Sequence, residues 1–578
     1  MPVVSTWADI EEHFGGWDGL TQAEQRLIND CKTGNDCSLG GLPPEGDPTH
    51  DQEIRADILR YMIVGGCENC RTTDKGVDLS GAYITGELDL TLATAKGITG
   101  FGHCRFDRMI EAMQARFDLL ALNDCRIAGL NAQGARVSGS VFLRSTKSSG
   151  PLRFPGARIG GHLACEGSQL EVTRDCALDA QNANIIGGLV MRPFKTENED
   201  EDRPFRANAW VSFDAATIGY IGAEHAQFAA RTEGHAFSAF NLVCKGNVIL
   251  NDAIFDGELQ LQGARIEGRL SLRRTYLSNS AGHAFTGQRM RVDQDLVWKN
   301  VSHKEGQVSL NGAHVEELSD HPDNWPGENE FVLDGFTYDR IKGKVSIAKE
   351  RLDWLSNGSH YEDRFYPQPY TQYAKFLRET GHDIEARKIL TLREQLIREE
   401  GRKRLWNEWS FLATPLVLWL MVWDVVQRLV VGYGHKPFNS LFFLLCFWLI
   451  ATALAHRAWQ AGDFAPNAAP ILVSEAWQSV ASEQANPAQA WAERDNDGDG
   501  NRIGYKAGQD WATFNRYAYA ADLVIPIIDL GQTDAWAPST ERGPWGRWLY
   551  QTGFFLQIAG WIVTALGAAA ITGIIRRD

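Results

Sequence analysis

The chain has 578 residues, a formal net charge of −16, 44% hydrophobic and 10% aromatic residues, and a mean hydropathy of −0.28. That length implies several structural units with ample core, the aromatic share excludes a disordered chain, and the acidic balance argues against a nucleic-acid partner. A mean hydropathy below zero excludes a polytopic transporter but leaves room for a few membrane spans, because it averages over unlike segments.

The first fourteen residues, MPVVSTWADIEEHF, carry no basic leader and no long apolar run, so a cleavable secretory signal is not expected. Residues 1–75 read as a helical N-terminal cap. Thr21 and Glu24 form a capping-box pattern, and IRADILRYMIV (Ile54–Val64) has helical apolar spacing. Nine of the ten cysteines precede residue 250, a part of the chain read as cytoplasmic, so they are expected as thiols. Cys67 and Cys70 form a CxxC pair, which Cys31 and Cys37 could complete as a four-thiolate zinc site; the alternative is unligated thiols in a cap loop.

From residue 76 to 340 a ten-residue phrase recurs: GAYITGELDL at Gly81, GARVSGSVFL at Gly134, GARIGGHLAC at Gly156, NANIIGGLVM at Asn182, DAIFDGELQL at Asp252 and GARIEGRLSL at Gly263. GAHVEEL at Gly312 is a worn copy. Apolar residues alternate within each phrase, the mark of a strand with one buried face. The copies at Asp252 and Gly263 start eleven residues apart and those at Gly134 and Gly156 twenty-two apart, which reads as half-coils of a parallel β-helix. Cys104 and Cys125 fall one such coil apart. The glycine before each second strand is expected to permit a corner. The fold class is therefore mainly β: a parallel β-helix solenoid with helical caps and a C-terminal α-helical transmembrane module.

Residues 341–404 read as a helical hairpin adaptor. Pro369–Glu400 splits at Gly381, with Asp383 able to cap the second helix, and the spacing of Ala374, Leu377, Gly381 and Ala386 resembles a tetratricopeptide hairpin. Residues 405–578 form the membrane module, which holds thirteen of the nineteen tryptophans. Segments 438–456 and 548–575 are expected to span the bilayer, and 457–546 to lie on the far side. Segment 411–431 is expected to lie in the interface, because its uncharged run is short and Asp424 and Arg428 interrupt it. The basic cluster Arg393, Arg398, Arg402, Lys403 and Arg404, together with Arg576 and Arg577, places both the solenoid and the C-terminus in the cytoplasm.

Taken in order, GVDLSGAYITGELDL, QPYTQYAKFLRETGHDIEARKIL, VGYGHKP, DLVIPIIDLGQ and GWIVTALGAAAITGIIRR resemble a family of bacterial membrane-anchored, pentapeptide-like β-helix proteins. The resemblance implies inner-membrane location and architecture. Members are often labelled "membrane-associated oxidoreductase", which implies a redox activity, although no GxGxxG stands between a strand and a helix here.

Three further patterns bear on chemistry. Asp495, Asp497, Asp499 and Asn501, with Gly500, match the first half of a calcium loop, but its twelfth position is Lys506; a calcium site and a solvated acidic turn are both open. Val431–Gly434 (VGYG) mimics a potassium-filter phrase but precedes the first confident span, which favours a tight turn. Residues 514–532 are amphipathic and end in Pro526, Asp529 and Gly531. As a re-entrant helix they would place Asp522 or Asp529 on an ion path in a homo-oligomer; the preferred reading is a helix resting on the membrane surface. Gly553, Gly560 and Gly567 recur on one face of the last span, suited to close helix packing within the chain or between copies. The functional expectation is a membrane-anchored scaffold whose β-helix faces hold a protein partner, with an oligomeric channel or sensor and a redox enzyme as alternatives.

Overall fold

Short alternating phrases at half-coil spacing wind the chain rather than lay it flat. The computed structural model describes residues 4–66, 71–173, 175–194, 202–230, 234–342, 350–492, 495–496, 502–503 and 510–573. It divides into two compact units, Met1–Leu390 and Thr391–Asp578.

The first unit is a parallel β-solenoid of about eleven turns. Its strands fall into one sheet of 18 and another of 19. The phrases at Gly134, Gly156, Asn182 and Gly263 lie in the first sheet and those at Gly81 and Asp252 in the second, as half-coil spacing requires. Pairing is in register from coil to coil: Val137 opposes Ile159, and an inward ladder runs through Leu120, Val141, Leu163, Leu189, Ile221, Val248, Leu270, Leu296 and Leu318. All of these are buried, each contributing about 2 kcal/mol relative to exposure. Aromatic rungs join the stack, with Phe228 and Phe255 face to face at 5.0 Å.

Corners recur at intervals of ten or eleven residues, and each holds a left-handed backbone: Gln114 (φ 55), Asp124 (φ 52), Gly134 (φ 66), Ser145 (φ 52) and Gly156 (φ 65). Each corner N–H donates to a carbonyl one coil on, for example Asp124 to Arg144 at 2.8 Å and Ser145 to Glu166 at 2.8 Å, which offsets the strain of the non-glycine residues. The corner is thus the first residue of the phrase. The mid-phrase glycines have another purpose at Gly139, Gly161, Gly187 and Gly268, none of which has positive φ. A methyl on Gly187 would sit 2.6 Å from the Gly161 carbonyl oxygen, and one on Gly139 2.8 Å from that of Asp118. These positions set the distance between coils, where nothing larger than hydrogen fits.

The solenoid starts earlier than residue 76. Cys37–Ser38 pairs with Leu79–Ser80, and Glu53–Arg55 with Tyr83–Thr85, so part of the N-terminal cap is already a first coil. Helices α1 (Trp7–Phe14), α2 (Gln22–Thr33) and α3 (Ala56–Ile63) complete that cap. The Thr21–Glu24 capping box forms, and the fully buried Glu24 carboxylate also accepts from the Arg55 backbone (2.9 Å) and its guanidinium (2.8 Å at Nε).

At the other end, α4 (Leu352–Ser359) and α5 (Gln368–Glu379) cover the last coil. The Gln368 amide accepts from Gly335 N (3.0 Å) and donates to Phe336 O (3.2 Å), and Gln372 donates to Tyr338 O (2.6 Å), so side chains occupy hydrogen-bonding groups of the final strand edge. The first helix of the expected adaptor hairpin is therefore itself the C-terminal cap. Gly381 (φ 83) ends it, and α6 begins with Asp383 inside its first turn rather than at the capping position. Under α4 the buried Arg351 guanidinium grips Asp320 with two bonds of 2.8 and 2.6 Å, and Trp325 Nε1 donates to the same carboxylate at 2.7 Å.

The second unit begins at Thr391, before the 405 boundary read from the sequence. It contains three segments long and apolar enough to cross a membrane: Pro415–Gly434, made of the end of α6 (Asp383–Val431) and the turn after it, α7 (Asn439–Gln460) and α11 (Pro544–Ile571). The sequence reading has only the last two as spans. The third qualifies because helix continues through Asp424 and Arg428, making a stretch of 20 residues with a mean hydropathy of 1.5.

Two outcomes test this fold. Gly187→Ala should lower thermal stability through a backbone clash costing about 1–3 kcal/mol, as read by circular dichroism melting. Arg351→Met leaves Asp320 buried and unpaired, so a loss of about 3–5 kcal/mol is expected, with urea unfolding as the measurement.

Candidate functional site

Two features of the second unit bring polar groups among apolar helices. In the first, Arg398 and Arg402 approach Asp424 at 3.5 and 3.3 Å, Tyr433 Oη donates to Asp424 at 3.1 Å, and the Arg398 guanidinium lies 4.7 Å from the Tyr433 ring centre. A straight helix would separate Arg402 from Asp424 by about 33 Å, so the 383–431 helical run folds back on itself between them. Opposed charges explain the pairing: Asp424 needs a counter-charge beside apolar surface, and the Arg-rich stretch provides it. Arg398, Arg402, Arg404, Trp423 and Leu420 line a cleft of about 470 Å³ at this fold. The VGYG phrase is a tight turn, Gly432–Gly434 in a 3₁₀ conformation with Tyr433 at φ 55, and it joins α6 to α7.

The second feature is the approach of α10 (Arg516–Val524) to α7 and α11. After α7 come α8 (Glu475–Glu483) and α9 (Pro487–Ala492), whose Trp477 and Trp491 pack with Phe464, Tyr519 and Trp536 in an aromatic core. Trp459 stacks on Phe514 at 4.1 Å. Buried Asp463 accepts from Gly546 N (2.9 Å) in the first turn of α11, where the helix dipole favours a carboxylate. From this core α10 runs along both candidate spans, α7 and α11. Ala520 and Val524 pack with Ala451 and Leu556, and Trp448 Nε1 donates to Tyr517 O at 3.0 Å.

The glycine stripe of α11 makes this packing possible. Gly553 faces Leu523; a methyl on Gly560 would lie 1.9 Å from Val524 O, and one on Gly567 2.6 Å from Ser440 Oγ. The stripe therefore packs within the chain, against α10 and α7. Gly560 is about 24 Å along α11 from Pro544 at 1.5 Å per residue, so Val524 lies near mid-helix. Within residues 514–532, α10 packs against both candidate spans, α7 and α11.

Asp522 and Asp529 end in different surroundings. Asp522 accepts three backbone N–H bonds, from Leu530 (2.6 Å), Gln532 (2.7 Å) and Thr533 (3.3 Å). It thereby pairs the Leu530 donor of the connecting loop and the first-turn donors of the short helix Gln532–Ala535. Asp529 is exposed and, among the described residues, accepts only from Gly531 N at 3.1 Å, next to exposed Ile527 and Leu530.

The metal candidates are only partly described. Cys31 and Cys37 are buried between α2 and the first coil; burial, with Asp30 adding to it, pushes both thiols up to about 12, which works against the thiolate that zinc requires. Cys67 and Cys70 lie outside the described residues. So do Asp497, Asp499 and Asn501 of the calcium-like loop, while Asp495 begins a two-residue strand pairing with Arg502–Ile503. Among the described residues no group of three or more His, Cys, Asp and Glu side chains is gathered to hold a metal. Cys104 and Cys125 stack on successive coils as the period implies, inside the core.

The Asp424 pairing and the Asp463 bond are absent from the sequence reading. The one signal for the first was a lone carboxylate in an apolar run.

Gly560→Leu should displace α10 and expose its loop, seen as faster proteolysis between residues 510 and 543 in detergent. Asp522→Ala leaves three N–H groups unpaired, so amide exchange at Leu530, Gln532 and Thr533 should accelerate by tenfold or more, at about 1–3 kcal/mol per orphaned group.

Comparison with family models, with curated proteins and with solved structures finds no match to this chain.

Proposed function

We propose that the chain is a membrane-anchored scaffold of the bacterial inner membrane, whose cytoplasmic solenoid holds a protein partner on its flat outer faces. The observation that carries this reading is the joining of a capped, in-register solenoid to a unit with three helices of spanning length. Repeated outward rungs suit extended contact rather than a catalytic cleft. The basic cluster and the pairing of Asp424 with Arg398 and Arg402 favour two crossings, α7 and α11, with 415–434 beside the charged stretch at the interface. The 457–546 segment then emerges on the outer side, with α10 packed back against α7 and α11.

A second reading is an oligomeric ion path, favoured by the packing of α10 against α7 and α11, with Asp529 as the free carboxylate. The redox reading draws no support from the described cysteines of the solenoid, whose thiols burial holds protonated at Cys165, Cys176 and Cys244.

Photo-crosslinkers placed on outward solenoid positions in intact membranes test the scaffold. Discrete heteromeric adducts confined to one face are expected; adducts only with itself, or none, overturn it. Planar-bilayer recording separates the alternative: a current whose cation selectivity changes in Asp529→Ala would establish the path, and silence ends it.

A further inference from the structure

One face of the solenoid carries charges that the fold itself leaves unbalanced. Arg116 opposes Arg136, and Arg136 opposes Arg158, on three successive coils of the 18-stranded sheet. In-register positions on neighbouring strands lie about 4.8 Å apart, and like charges so placed destabilise a sheet. All three side chains are exposed, and none has an ion pair or side-chain hydrogen bond among the described residues. Asp118, just past the end of the Arg116–Phe117 strand, makes no ion pair with them among the described residues.

Elsewhere the chain neutralises such rungs. Further along the same ladder Arg265 and Arg291 share Asp293, at 3.5 and 2.6 Å. Arg269 pairs with Asp295 at 2.7 Å, Arg274 with Asp252 at 2.6 Å, and Lys245 with Glu267 at 2.7 Å. A protein of net charge −16 has carboxylates to spare, so three free arginines in a row stand apart from the chain's own habit.

The other sheet displays what an arginine ladder of this kind can hold. There Arg105 opposes Arg126, and an irregular segment of the same chain lies across both rungs. Arg126 Nη2 donates to the Glu45 carboxylate at 3.0 Å, while Arg105 Nη1 donates to the Pro44 and Gly46 carbonyls at 3.5 and 3.3 Å. A carboxylate on one rung and carbonyls on the next is the grip of a guanidinium ladder on a non-regular acidic polypeptide.

We propose that the Arg116–Arg136–Arg158 ladder is a docking surface for an acidic, extended polypeptide segment of a partner protein. This rests on the scaffold reading and names the chemistry of its partner. Carboxylates of that segment meet the guanidiniums, and its carbonyls fill the donors that remain. Docking removes the like-charge repulsion, so the free ladder carries a stability cost that the partner relieves.

Fluorescence anisotropy of the full chain in detergent, with a labelled peptide of alternating Glu and Gly about a dozen residues long, tests this. The triple variant R116Q/R136Q/R158Q should bind at least about tenfold more weakly, the scale of three exposed charge contacts. A control triple, R289Q/R364Q/R378Q, removes the same charge elsewhere and should lose less than about threefold. Binding should weaken with salt, and the ladder triple should melt no lower than the parent. Equal losses in the two triples, or a single-stranded DNA of matched charge bound as tightly as the peptide and lost in the same variant, overturn the proposal. If peptide binding fails while photo-crosslinked adducts persist, the acidic partner falls and the scaffold stands; if the adducts are missing too, both fall.

Discussion

In a parallel solenoid the strands of each coil give their backbone N–H groups and carbonyls to the coils on either side, and only the corner turns, such as Ala135 N to Ala132 O, close within a coil. The bonds from corner to corner, such as Asp124 to Arg144, are part of the same system as the strand ladders. Coil spacing is thereby fixed near the strand separation everywhere, and every residue that touches the next coil must fit it. That is why glycine occupies positions 139, 161, 187 and 268, and why apolar rungs stack like on like. It also concentrates the remaining need at two places, the ends. Both are closed in the same chemical manner, with a buried carboxylate held by a guanidinium and by further donors: Glu24 with Arg55, and Asp320 with Arg351 and Trp325. Such pairs cost desolvation to form, but they orient a cap where plain apolar packing would let it slide.

The second unit meets a related constraint by other means. Helices satisfy their own backbone, so an irregular stretch beside apolar helices must bring its own acceptors. Asp522 does this for the loop after α10, and Asp463 for the first turn of α11. Both carboxylates are committed to backbone donors, and Asp529 remains the exposed one. The glycine notches of α11 let α10 lie against it, with Val524 O beside Gly560 and Leu523 beside Gly553.

Much of the architecture was legible from spacing. Half-coil intervals gave the sheet alternation, long uncharged runs gave α7 and α11, and the Thr21–Glu24 pattern gave a true capping box. The rest depended on geometry that residue types do not encode. Gln114, Asp124 and Ser145 take the same left-handed corner as Gly134, so glycine did not mark the corner. Cys37–Ser38 is too short a strand to show any period. Arg398 and Asp424 are 26 positions apart in one helical run, and only their pairing reveals that the run folds back. Asp522 looked free because its partners are backbone groups eight to eleven residues later. Which helix Val524 would meet was hidden because the notch that receives it, at Gly560, lies on a different helix.

The axial direction of the hydrogen bonds has a mechanical meaning. Tension applied along the solenoid loads the ladders in series, so each junction between coils bears the whole force and the weakest gives way first. The junctions inside the stack are reinforced from both sides by matching rungs, whereas a terminal coil has a neighbour on one side only. Yielding therefore begins at an end, and the carboxylate clamps set its threshold. A stack of this kind would transmit modest pulls without deformation and let go coil by coil under larger ones.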